Sequence, residues 1–209
     1  MIIKELNHNS LLKKTSKLDL EVLDLGSFPN RKEERWKYTP LRALKKINFH
    51  NQLNFKIDHL SSLEIPKIEG LVVVLENGKF NSILSNIVEL KGIELSFVNE
   101  SDIANNSEEP KHKNYFTALN FSFLTEKVVL KIKPNFNLDE PINFVNIISD
   151  NRCISNTQFN IDVFENSKLH IRQYFLGNSD SKDGFINHRN EVSLKSNSSL
   201  TIDKFQDLN

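Results

Sequence analysis

At 209 residues the chain can form one large domain or two small ones. Lysine plus arginine and aspartate plus glutamate both number 27, so the formal net charge is zero, and neither a basic nucleic-acid tract nor an acidic tail stands out. A single cysteine rules out an internal disulfide and fits a reducing compartment. The longest apolar run, Leu71 to Leu75, is far short of a membrane span. Only Ile2 and Ile3 precede the first charge, which is no secretory signal. A soluble cytoplasmic protein is the expectation.

Residues 1–65 read as a helical region. Asn9 and Ser10 are candidate N-caps for a helix carrying Leu11, Leu18, Val22 and Leu25, with Gly26 as its stop. Asn30 with Glu33 three residues on has the form of a capping box for a short helix through Trp36. That helix should end before Thr39, because the residue before a proline is pushed out of the helical region. Thr39 then caps a second helix with Pro40 at its first position and Leu41, Leu44 and Ile47 on one face. Residues 66–125 read as a small α/β segment. Three strands are expected between 71 and 98, the first two joined at Asn77-Gly78, a strong hairpin signal. A polar loop follows at 99–111, then a helix over 112–124 with Tyr115, Leu119 and Phe123 on one face.

From 126 to 209 the chain reads as strand and turn, and it repeats. Residues 160–174 and 191–205 align at a shift of 31. Asn166/Asn197, Ser167/Ser198, Leu169/Leu200 and Ile171/Ile202 are identical pairs. Ile161/Val192, Val163/Leu194 and Tyr174/Phe205 stay apolar. Apolar and polar positions alternate in each copy, which is strand periodicity. A weaker third copy places Leu130, Ile132 and Asn135 ahead of Ile161, Val163 and Asn166. Its following turn is longer by four residues, with Ile142 and Phe144 in the places of Leu169 and Ile171. Repeats of this length predict units that bury their faces on one another, here a parallel β-helix (β-solenoid); ordinary hairpins in a sandwich are the alternative. In the last copy Leu200, Ile202 and Phe205 need neighbours above them, so the chain made alone is expected to self-associate.

Several stretches together carry a family likeness. Phe28-Pro29 followed by Glu34-Arg35-Trp36-Lys37-Tyr38-Thr39 resembles the N-terminal signature of SufD, in the SufB/SufD family of the SUF iron–sulfur cluster assembly system. Glu76 to Phe80, Ala118-Leu119-Asn120, Glu140-Pro141-Ile142 and Phe205-Gln206 follow in that family's order. The resemblance implies an N-terminal helical region followed by a right-handed parallel β-helix. It also implies a non-enzymatic scaffold that works with SufB-like and SufC-like proteins, without nucleic acid or membrane. Members of the family are much longer, so the chain matches an N-terminal half and reads as a fragment. The family residues implicated at the cluster interface have no counterpart here.

No catalytic, cofactor-binding or metal-binding residues stand out. Cys153 alone is too few thiols for a conventional cluster and reads as a small apolar strand residue. His8, His50, His59, His112, His170 and His188 lack metal-ligand spacing and read as solvated surface histidines. His170, between Leu169 and Ile171, should face outward opposite Thr201. A β-helical carbohydrate-active enzyme would need a carboxylate column, but Asp162 aligns with Ser193 and Asp203 with Arg172. Trp36 and Tyr38 read as core rather than a ligand platform. A purely structural β-solenoid is the remaining alternative.

Overall fold

The computed structural model describes residues 28–39, 41–50, 55–59, 68–87, 91–99, 114–178 and 181–207. The helix expected at Leu11 to Leu25 and most of the polar loop lie outside them. The protein is mainly β, built from two mixed sheets.

The two helices expected between Asn30 and Ile47 are single 3₁₀ turns, Glu34–Trp36 and Leu44–Lys46. Neither buries a residue, so no packed face extends them. The capping box closes only on its glutamate side. Glu33 Oε1 accepts from the Asn30 backbone N–H at 3.1 Å, while Asn30 Oδ1 takes the Lys32 N–H at 3.0 Å. The second turn has no side-chain cap, and its N-cap is Ala43, not Thr39.

Strand β1 (Val72–Glu76) turns back into β2 (Lys79–Phe80) through Asn77 and Gly78, both at positive φ. A Cβ at Gly78 would also lie 2.8 Å from Ser155 Oγ, so only glycine fits. β2 is two residues long rather than a full strand. β3 (Ile93–Asn99) follows, then helix α1 (Tyr115–Ser122), capped where Asn114 Oδ1 accepts from Thr117 N–H at 3.0 Å. The remaining strands are β4 (Glu126–Ile132), β5 (Ile142–Ile148), β6 (Ile154–Val163), β7 (Lys168–Gly177), β8 (Phe185–Leu194) and β9 (Ser199–Asp207).

One sheet has the order β2-β1-β5-β7-β9, the other β3-β4-β6-β8. In each, only the first pair is antiparallel; every later pair is parallel. The register follows the repeat. Leu130 lies beside Ile161 and Ile161 beside Val192; Leu169 lies beside Leu200 and Ile171 beside Ile202. One expected pairing needs correction. Ile142 lies beside Ile171, not Leu169, and Phe144 beside Gln173. Asn137 still meets Lys168, so the 31-residue spacing persists into the turn, and the extra length is the two residues that reduce it to 29 before Ile142. An even insertion keeps each side chain on its own face.

Alternation sorts each strand's residues to two faces. Val73, Leu75, Val128, Leu130, Phe144, Phe159, Ile161 and Ile171 form the layer shared by the two sheets. Val72, Val74, Val145, Ile147, Tyr174 and Leu176 lie on the outer face of the larger sheet, covered by Ile57, Ile68 and Leu84. There the fully buried Glu76 ties down segment 55–59. Its carboxylate accepts from Lys56 N–H (2.5 Å), Ile57 N–H (3.1 Å), Ser149 Oγ (2.5 Å) and Asn81 Nδ2 (2.9 Å). A third cluster joins Phe28 and Phe49 to Tyr115 and Leu119 of α1, to its C-cap Phe123 and to Ile154 of β6.

His170 lies on the outer face beside Thr201, 2.8 Å from Asp203 and a third exposed. Ile171 is fully buried in the shared layer. Ile171→Asp should therefore destabilise the protein by more than about 4 kcal/mol, because it buries an unpaired charge and removes packing. His170→Ala should cost less than about 1 kcal/mol, the range of exposed ion pairs. Similar losses in urea melts of the two variants would contradict this assignment of faces.

Candidate interaction surface and the polar end of the core

β8 and β9 are the last strands of their sheets, and no described residue pairs with their outer sides. The first strands are covered differently: β2 and β3 run antiparallel over them. The uncovered edge keeps the side-chain pattern of the interior. Val192 and Leu194 are 46% and 49% exposed, whereas Ile161 and Val163, one repeat earlier, are at 0%. Phe205 is 48% exposed on the outer face and stacks on Tyr174 with ring centroids 5.0 Å apart. Among the described residues, both ladders and the apolar layer between them therefore end on one surface.

The layer between the sheets also changes character toward this edge. Along one row, Val73 is followed by Phe144, Gln173 and Lys204; along the facing row, Val128 is followed by Phe159 and Asn190. A third row runs Glu126, Thr157, His188. His188 is thus not a solvated surface residue; the strand's alternation turns it inward. Its Nδ1 is 2.9 Å from Thr157 Oγ1, and its Nε2 is 2.8 Å from Asn190 Oδ1 and 3.1 Å from Gln173 Nε2. Gln173 and Asn190 exchange two further bonds of 2.9 and 3.0 Å between the sheets. Phe159 and Phe175 pack against the ring. Burial pushes the His188 pKa down to about 4, aided by Lys204 and opposed by the Asn190 bond. Glu126, at the head of the row, turns its carboxylate to the Phe80 N–H at 2.7 Å and does not complete a catalytic relay. Burial raises its pKa, against the Phe80 bond and Lys79.

Cys153 is fully buried, and burial raises its thiol to about 12, with Asp150 adding to the rise. At neutral pH it is a thiol rather than a nucleophile or thiolate ligand. His50 lies beside it in a parallel bridge, with Nε2 2.7 Å from the Asn151 carbonyl. His59 is exposed; His8 and His112 lie outside the described residues. Among the described residues no three His, Cys, Asp or Glu side chains gather as a metal site. No helix among them is long and apolar enough to cross a membrane. Asp162 and Asp203 lie beside Ser193 and Arg172, so no carboxylate column forms at those positions. Trp36 packs against Phe116 at 5.3 Å, whereas Tyr38 is 85% exposed and is not core. The inward turn of His188 was legible in the alternation of Ile186, His188, Asn190 and Val192, but its polar company hid it.

Scans against protein-family models and curated proteins gave no match for this chain.

The His188 ring makes stability pH-dependent. Its pKa falls from the ordinary 6.5 in the unfolded chain to about 4 in the fold. The unfolded state therefore binds the extra proton first. Stability should be full above the ordinary value and fall as pH drops toward about 4, by up to about 1.4 kcal/mol per pH unit. Glu126, with its raised pKa, acts in the opposite sense, so the informative quantity is the difference between wild type and His188→Gln. Urea midpoints over this window should fall less for the variant; parallel curves would show that His188 titrates normally.

Proposed function

We propose that the protein is a scaffold subunit of a SUF-type iron–sulfur cluster assembly complex, cytoplasmic and non-enzymatic, and that its paired strands are the coils of a right-handed parallel β-helix. The ordered stretches from Phe28-Pro29 to Phe205-Gln206 suggest the family. The parallel register at 31 residues between β6 and β8 and between β7 and β9 is what such coils require. The observation that carries the reading is this in-register parallel stacking, in which Leu169 lies beside Leu200 and Ile171 beside Ile202. In this reading the chain works with a SufB-like protein and a SufC-like ATPase. The cluster is the cargo of the assembly, and no ligand set for it gathers among the described residues.

Co-expression with SufB-like and SufC-like proteins tests the proposal. The intact chain should retain the SufB-like protein on affinity purification. Failure of the intact chain to retain either partner would contradict the assignment.

A further inference from the structure

One imidazole joins three strands across the layer between the sheets. His188 stands on β8. Its Nδ1 is 2.9 Å from Thr157 Oγ1 on β6, its neighbour in the same sheet. Its Nε2 is 2.8 Å from Asn190 Oδ1 on β8 and 3.1 Å from Gln173 Nε2 on β7, which belongs to the other sheet. Gln173 and Asn190 hold each other by two bonds. Gln173 Nε2 donates to Asn190 Oδ1, and Asn190 Nδ2 donates to Gln173 Oε1. The two amides are therefore fixed relative to each other, and they present an acceptor, Asn190 Oδ1, to the ring.

Those partners decide where the ring carries its hydrogen. A neutral imidazole has one N–H and one lone pair. With the hydrogen on Nε2, the ring donates to Asn190 Oδ1, and Nδ1 accepts from the Thr157 hydroxyl. With it on Nδ1, the Nε2 lone pair would face the Asn190 oxygen at 2.8 Å. The first arrangement is the favoured one. A second proton then goes to Nδ1, and Thr157 must turn from donor to acceptor. The charge so formed has little to meet. Phe159 and Phe175 pack against the ring, with centroids at 4.6 and 5.2 Å. Lys204 of β9 repels it. Glu126 of β4 stands one place beyond Thr157 in the row, with its carboxylate turned to the Phe80 N–H. Arg189 and Glu191 alternate to the opposite face of β8 and pair there. A charged ring is thus better solvated by water than by this layer, and reaching water means parting β8 from β7.

We propose that the Thr157–His188–Asn190–Gln173 cluster is a proton-operated latch between the two sheets. Closed, the neutral ring ties β6 and β8 of one sheet to β7 of the other. On taking up a proton it leaves the layer and frees β8 locally. Strands β1 to β4 hold none of its hydrogen bonds and keep their pairing. The ring has a pKa of about 4 in the closed layer and returns to the ordinary 6.5 once exposed. The open population therefore rises as pH falls below 6.5, by up to about tenfold per pH unit, and levels off below about 4.

Nitrogen-15 spectra of the labelled full chain, together with amide hydrogen exchange across pH, test the proposal. At neutral pH the His188 ring should show the Nε2–H tautomer. Below pH 6.5 the amides of 186–194, corrected for intrinsic exchange, should accelerate by up to about tenfold per pH unit. That exchange should depend only weakly on added urea, the mark of a local opening, whereas amides of 72–76 and 126–132 should stay slower and depend on urea as global unfolding does. His188→Gln should abolish the pH-dependent acceleration. His170→Gln, at the partly exposed histidine of β7, should leave it intact. An Nδ1–H tautomer would overturn the donor chain on which the latch rests. One common rate and one steep urea dependence for all strands would show that only the whole fold opens, and would overturn the latch. Acceleration that persists in His188→Gln would do the same. Should that variant fail to fold, the wild-type tautomer and the contrast between strands decide the matter.

Discussion

The repeated strands depend on an asparagine held in the left-handed region at the same place in each unit. Asn135, Asn166 and Asn197 have φ of 58°, 55° and 55°. Asparagine is among the few residues besides glycine that adopt this conformation readily. Here it also bonds to its neighbours. Asn166 Nδ2 donates to Asn135 Oδ1 at 3.1 Å, and Asn197 Nδ2 donates to Asn166 Oδ1 at 3.2 Å. The backbone is stitched in the opposite sense, from Asn135 N–H to the Glu165 carbonyl and from Asn166 N–H to the Ser196 carbonyl. Buried Ser167 adds bonds to the Lys133 carbonyl and from the Phe136 N–H. Each turn thus hands the chain from one sheet to the other at a fixed height, and the register of both sheets follows.

The two ends of this stack differ in kind. At the first, antiparallel β2 and β3 cover the parallel strands, and the Phe80 and Phe97 rings stack at 3.9 Å. At the other, parallel β8 and β9 leave their ladders uncovered while the layer beneath turns from Val73, Phe144 and Phe159 to Gln173, His188 and Asn190. A bonded polar network is specific where an apolar layer is adaptable, because each member must find its partner. The network therefore fixes how the two sheets face each other near that edge.

Much of the strand architecture was legible because in-register parallel stacking writes identical residues into one column, as with Leu169 and Leu200. Where two residues are inserted after Asn137, the column slips from 31 to 29, and sequence alignment alone overestimated the insertion. The N-terminal turns were less legible. Local caps at Asn30 and Thr39 suggested helices, but helix length is set by a packed face, and these turns bury none. His188 was misread because a histidine flanked by polar residues looks solvated unless its strand's face is known.

Interstrand nuclear Overhauser contacts in isotopically labelled protein test the central claim most directly. Parallel pairing keeps the difference between contacting residue numbers constant, and antiparallel pairing keeps the sum constant. Amide-to-α-proton contacts between 160–163 and 191–194, and between 168–176 and 199–207, should follow the constant difference of 31. Strands β3 and β4 supply the internal control, running Ile93 with Ile132 through Asn99 with Glu126 at a constant sum. A constant sum for the two C-terminal pairs, or contacts that place Leu169 and Leu200 in different sheets, would contradict the repeat as the organising feature of this protein.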